Sequence, residues 1–199
     1  MGVTINHRLA AEKRYIKSIL DRAQAFAENI KKEAQILKIA FKIRRLSETE
    51  LFIDIGGCET LTFDFKTMND WNAVEGWGYE KETLKYFEKF DTDPNESYYK
   101  EHPEFVLHWA SAFCKTQYAN NIAEHKFVAE IIRMVAGYCQ ISEIGDEGDY
   151  YYSGQLEDAA GAIEENGALI NSLGKQLAEN FSADNIIKGG ETKIKKAKK

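Results

Sequence analysis

Between Lys13 and Ile36 the apolar residues Ile16, Ile19, Leu20, Ala23, Phe26, Ala27, Ile30 and Ala34 recur every three or four positions, and Lys17, Asp21, Glu28, Lys31 and Lys32 fall between them. That spacing predicts a long helix with one apolar stripe, which must lie on something. The period then changes. From Lys38 to Arg45, Ile39, Phe41 and Ile43 alternate with Lys42 and Arg44, the two-residue repeat of a half-buried strand. Leu51 to Ile55 and Thr60 to Phe65 read as two further strands. The Gly56-Gly57-Cys58-Glu59 segment between them permits a hairpin or a close approach of another group to the backbone. A helix laid on an antiparallel meander is therefore the frame that the rest of the chain must fit.

Before the helix, Val3 to Ile5 reads as a short strand followed by a polar turn around His7 and Arg8. Residues 66 to 104 carry Trp71, Trp77, Tyr79, Tyr86, Phe87, Phe90, Tyr98 and Tyr99, with one short helix near Lys81 to Phe90, and read as an aromatic-rich insertion over the sheet. Its rings either extend the core or form a lid. Phe105 to Tyr118 has strand composition. After Asn120 or Asn121, good N-cap residues, a helix is expected to about Tyr138, with Ile122, Val128, Ala129, Ile132, Val135 and Ala136 as its stripe. A polar turn from Gly145 to Asp149 leads to Tyr150-Tyr151-Tyr152, read as a strand, and a last helix runs from Gln155 to Phe181. The expected fold is α+β: a curved, mostly antiparallel sheet with helices packed on one face, in a single domain over 1–181.

Charge narrows the partners. The net charge is −6, but Ser182 to Lys199 holds six lysines against Asp184 and Glu191, so residues 1–181 carry −10. An acidic body repels phosphate backbones, and nucleic acid is not an expected partner. The lysine-rich end reads as a disordered, solvated tail. No apolar run approaches the roughly 18 residues that would span a bilayer, so no membrane is expected. The opening residues lack the pattern of a secretory leader. Three widely spaced cysteines, Cys58, Cys114 and Cys139, fit neither a disulfide framework nor a zinc cage. The cytoplasm is the expected compartment.

Four polar groups fall at the ends of predicted elements. Glu59, in the glycine turn, reads either as a ligand-facing carboxylate or as an exposed turn residue. Lys115 and Gln117 share one face of a strand end, and a Lys turned inward there needs a carboxylate, for which Glu59, Asp146 and Glu147 are the candidates. His125 falls on the apolar stripe of its helix and reads either as a satisfied core histidine or as a site residue. Asp146 and Glu147 form an acid pair before the tyrosines, too few oxygens for a hard-metal site. No metal site, phosphate loop, nucleophile elbow or CxxC pair is present, and the residues name no cofactor.

The opening Met1-Gly2-Val3-Thr4-Ile5, Gly57-Cys58-Glu59 followed by Leu61 and Phe63, Lys115-Thr116-Gln117-Tyr118-Ala119 leading to Glu124-His125, and Asp146-Glu147-Gly148-Asp149-Tyr150 with Ser153-Gly154 resemble, as an ordered set, an uncharacterised prokaryotic family. Thr60 stands where that family is expected to show proline. The resemblance implies a fold similar to the curved sheet of the TATA-binding protein and implies no activity. The resulting expectation is a non-enzymatic module whose polar cleft, lined by Glu59, Lys115, Gln117, His125, Asp146 and Glu147, takes a small ligand or a protein segment. The alternative is a hydrolase with His125 as general base, partnered by an acid or by Cys58.

Overall fold

Strand β1 (Thr4–Glu12) passes without a loop into α1 (Lys13–Ile36), the helix predicted from the stripe. Seven of the stripe's residues are buried, and Phe26 packs against the same core. The helix ends because Ile39 N–H bonds the Ala34 carbonyl (2.8 Å) and Lys38 N–H bonds that of Gln35 (3.1 Å). This closure puts one residue in the left-handed region, usually glycine; here Lys38 takes it at φ 59°. Then come β2 (Phe41–Arg45), β3 (Glu50–Ile55) and β4 (Leu61–Asp64), the short helix α2 (Ser97–Glu101), a 3-10 turn at Pro103–Phe105, β5 (Leu107–Lys115), α3 (Ile122–Ala136), β6 (Ile141–Asp146) and the single turn α4 (Tyr150–Ser153). Residues 156–165 are also helical. The computed structural model describes residues 3–67, 70, 92, 94–116, 119, 121–165 and 172. Most of the aromatic insertion, with its expected helix, as well as Gln117, the far part of the last helix and the lysine tail lie outside the described residues.

Among the described residues every strand pairing is antiparallel. The strands nevertheless form two three-stranded sheets, β5-β1-β6 and β2-β3-β4, in place of the single curved sheet that the sequence predicts. The reason lies where β4 meets β5. Lys66 and Trp109 exchange backbone bonds at one end of this seam (3.0 and 2.7 Å), and Glu59 N–H bonds the Lys115 carbonyl at the other (3.0 Å). From 59 to 66 is seven steps, from 109 to 115 only six, so one regular ladder cannot join both ends.

A histidine sits over the middle of the seam. His7, opposite Ala112 in the β1–β5 ladder, is 1% exposed, and its Nε2–H donates to the Thr62 carbonyl of β4 at 3.1 Å. The small Ala112 leaves room for the imidazole to cross β5, and the Phe63 ring lies 5.2 Å away. The expected turn at His7 and Arg8 is thus the middle of β1. Ile5, His7, Leu9 and Ala11 form its inward row, and the one polar member disguises the alternation. Arg8 points away and pairs with Glu143 of β6 at 3.0 Å.

The expected tyrosine strand is also corrected: the strand is β6, just before it, and Tyr150–Ser153 is helical. Asp149 turns the chain at φ 57°, and the Asp146 carboxylate accepts the N–H groups of Gly148 and Tyr151 (2.8 Å each), which winds the chain into a turn. One core joins the inward rows of both sheets to α1, α3 and Ala159.

His7 makes this architecture sensitive to acid. Burial holds its imidazole down at about 4 against an ordinary 6.5, only partly offset by the Thr62 carbonyl. The folded protein therefore binds fewer protons than the unfolded chain between those values, and stability falls as the pH drops from 6.5 toward 4. The loss attributable to His7 is about 3 kcal/mol. Denaturant unfolding at pH 7 and pH 4.5 should show it, and His7→Gln, which keeps a donor but does not titrate, should flatten the difference.

Candidate functional site

The topology gathers the polar groups at one end of the molecule. Thr4 pairs with Lys115, and Ile5 lies between Cys114 and Asp146. Beyond the ladders, Thr116 N–H bonds the Val3 carbonyl (2.9 Å) and Glu147 N–H that of Thr4 (3.1 Å). The β3–β4 turn joins them through Glu59 and the Lys115 carbonyl. Helix α3 begins over the same end, capped by the Asn121 side chain, which accepts the Ala123 N–H at 3.0 Å.

His125 is at the centre. Its Nδ1 lies 2.7 Å from the Thr116 hydroxyl and its Nε2 3.4 Å from Asp146 Oδ2. Neither the His125 nor the Asp146 side chain is exposed at all, and Thr116 is wholly buried. The Thr116 hydroxyl also lies 3.2 Å from the Val3 carbonyl. Its single proton can serve only one of these neighbours: given to Nδ1, it leaves Nε2 as the ring's donor toward Asp146; given to Val3, it makes Nδ1 the donor. Burial works to raise the Asp146 carboxyl, but His125 and the N–H groups of Tyr151 and Gly148 outweigh it and hold the group below its ordinary value. Gly148 passes directly over the imidazole: a Cβ there would stand 2.8 Å from His125 Cε1. Tyr150 closes another side, edge-on to the ring at 6.3 Å.

Glu124, beside His125, is 2% exposed, and its Oε2 accepts the Gly57 N–H at 2.8 Å. Gly56 takes φ 49°, and a Cβ on it would lie 2.1 Å from the Glu124 Cδ. The paired glycines are therefore a seat for this carboxylate, which also lies in the first turn of α3, where the helix dipole favours a negative charge. Cys58, 4.0 Å from Glu124, has its thiol pushed up to about 12 by burial and by that carboxylate. All three cysteines are free thiols.

The remaining predicted residues form a rim. Glu59 and Lys115 pair at 3.5 Å, with about two fifths of each side chain in water. The Lys115 carboxylate partner is thus Glu59, and Glu147 is exposed. Gln117 lies outside the described residues. The structure brings Glu59, Lys115, His125, Asp146 and Glu147 to one end of the fold, but it divides them: His125 and Asp146 are interior, and the other three face outward. Sequence reasoning missed Thr116 and Glu124. The signal for Glu124 was present, since Asn121 and Glu124 stand at N-cap and N3 of a helix and two glycines mark a close approach.

Among the described residues no three His, Cys, Asp or Glu side chains are grouped as metal ligands would be, and no helix is long and apolar enough to cross a membrane. Compared with known proteins, the chain matches no family model, no curated protein and no solved structure.

Asp146→Asn puts an amide where a buried carboxylate accepts the Gly148 and Tyr151 N–H groups and faces His125, so it should cost about 1–3 kcal/mol at neutral pH. The Asp146 contribution is complete above the unfolded value near 3.8 and disappears as the pH falls through the lower folded value. Urea unfolding of the variant and the wild type at pH 7 and pH 3 should therefore show a wide gap at pH 7 that narrows at pH 3.

Proposed function

We propose that this protein is a non-enzymatic binding module that presents the Glu59–Lys115 pair and Glu147 to a small polar ligand or a charged protein segment. The observation that carries this reading is the position of His125: the ring is fully buried, with Thr116 at one nitrogen and Asp146 at the other. A general base must reach a proton on a substrate, and this imidazole faces only protein. The order hydroxyl, imidazole, carboxylate in Thr116, His125 and Asp146 is the feature that favours a hydrolase. Against that reading, the Thr116 hydroxyl is as inaccessible as the ring. Cys58 offers no better nucleophile, because a thiol at about 12 is almost wholly protonated at neutral pH.

The rim has the character expected of a recognition surface: two opposite charges and a further carboxylate, held on backbone that the ladders and the buried cluster fix in place. We further read the fold as a variant of the TATA-binding-protein type. The order β6-β1-β5 meeting β4-β3-β2, with α1 and α3 in one core, supports this. The acidic body gives such a fold no electrostatic drive toward DNA.

Titration of the 15N-labelled chain with small carboxylates, amines and short charged peptides should move the amide signals of Glu59, Lys115 and Glu147 together, and Lys115→Ala should abolish the response. Cys58 should meanwhile react with a disulfide reagent at pH 7 more slowly than an ordinary thiol, by on the order of tenfold to a hundredfold, because the loss of thiolate outweighs the greater nucleophilicity of a thiolate of higher pKa. A Cys58 as reactive as free cysteine, or an absence of response at the rim, would contradict the reading.

A further inference from the structure

At the other end of β1, eight residues beyond the start of the strand and so about 26 Å from the polar cluster, a separate pocket opens. Its volume is about 360 Å³, and Glu12, Tyr98, Tyr99, Phe105, Leu107 and Gln140 line it. The Tyr98 and Tyr99 rings meet edge to face (83°, centroids 5.2 Å apart), and His102 packs against both Tyr98 (4.9 Å) and Phe105 (5.9 Å). Phe105 lies nearly parallel to Tyr98, 6.3 Å away. Gln140 accepts the Glu12 N–H at 2.8 Å and so fixes the backbone that carries the carboxylate.

The lining selects a cation. The chain's own Arg14 already behaves as one here: its Nε lies 2.6 Å from Glu12 Oε2, and its guanidinium stacks over Phe105 at 4.3 Å. A carboxylate combined with ring faces attracts positive charge twice, by ionic attraction and through the ring quadrupoles. Glu96, Glu101 and Glu104, against Lys100, extend the negative field over the neighbouring segment. The acceptors, Glu12, Gln140 and Thr92, are not joined by any on the ring faces, so a primary ammonium set against those faces gives up hydration that a methylated ammonium never had. A methylated ammonium has few hydrogen bonds to lose and a greasy surface to bury.

We propose that this pocket binds an N-methylated ammonium group of a small organic cation, held by the Glu12 carboxylate and the faces of Tyr98, Tyr99 and Phe105. The bound cation takes over Glu12 from Arg14, which makes Arg14 a built-in competitor.

Choline and its neutral carbon isostere, 3,3-dimethylbutan-1-ol, separate this from simple apolar filling. Titrated into the full-length chain and read from the amide signals of Tyr99, Phe105 and Leu107, choline should bind about tenfold more tightly than the isostere. Glu12→Gln and Tyr99→Ala, checked for thermal unfolding like the wild type, should each weaken choline binding by about tenfold, and Arg14→Gln should strengthen it. Equal binding of choline and the isostere would overturn the proposal, as would silence of these signals at roughly 50 mM choline, a concentration at which even a very weak site fills. A loss with Arg14→Gln as large as with Glu12→Gln would do the same. If a variant fails to fold, the comparison of choline with its isostere on the wild type decides alone.

Discussion

A fully buried imidazole facing a fully buried carboxylate is the constraint on which the rest of this fold's polar end depends. Taking such groups out of water costs free energy that hydrogen bonds to their donors and acceptors must offset. Asp146 accepts the Gly148 and Tyr151 N–H groups, and His125 Nδ1 meets Thr116, which is tied in turn to Val3, while His125 Nε2 faces Asp146 Oδ2 at 3.4 Å without a well-formed hydrogen bond. Those contacts draw on β1, β5, α3 and β6 together. No element of that group can shift without exposing or orphaning a charged or polar atom in the interior.

The same logic recurs where backbone pairing fails. The change of register along the β4–β5 seam breaks the ladder, and His7 reaches across it to a carbonyl of β4. Where α3 meets the β3–β4 turn, Glu124 takes the Gly57 N–H, and Gly56 has no side chain because the carboxylate occupies that space. In each case a polar side chain does inside the protein what a regular ladder or a water molecule does elsewhere. The functional consequence is a division of labour: the interior polar groups fix the strand ends, and the groups left outward, Glu59, Lys115 and Glu147, stand on a rigid base.

How much of this was legible follows from how local each signal is. The helix Lys13–Ile36 and the meander β2-β3-β4 depend only on period, and both are plain in the residues. Strand β1 was cut short because His7 occupies an inward position, and β6 was missed because its two isoleucines, Ile141 and Ile144, stand three apart and mimic a helical spacing. The tyrosines after it are strand formers by composition, yet the Asp146 carboxylate winds them into a turn. Turn and strand-end positions identified which charged residues would gather at one end. Burial was not legible, because polarity suggests water while the partners that permit burial lie far away in sequence: Gly57 and Glu124 are 67 residues apart. Gly56-Gly57 announced a close approach without naming what approaches.

Chemical modification of the four histidines tests most directly whether the polar centre is interior. His102 has 45% of its side chain in water, His108 is 8% exposed, and His7 and His125 are 1% and 0%. Treated briefly with diethylpyrocarbonate at pH 7 and digested, the native protein should carry the label on His102, with His125 labelled only after unfolding. Labelling of His125 at a rate comparable to His102 in the folded protein would mean that the ring meets water, and the account of a buried Thr116–His125–Asp146 cluster would be wrong.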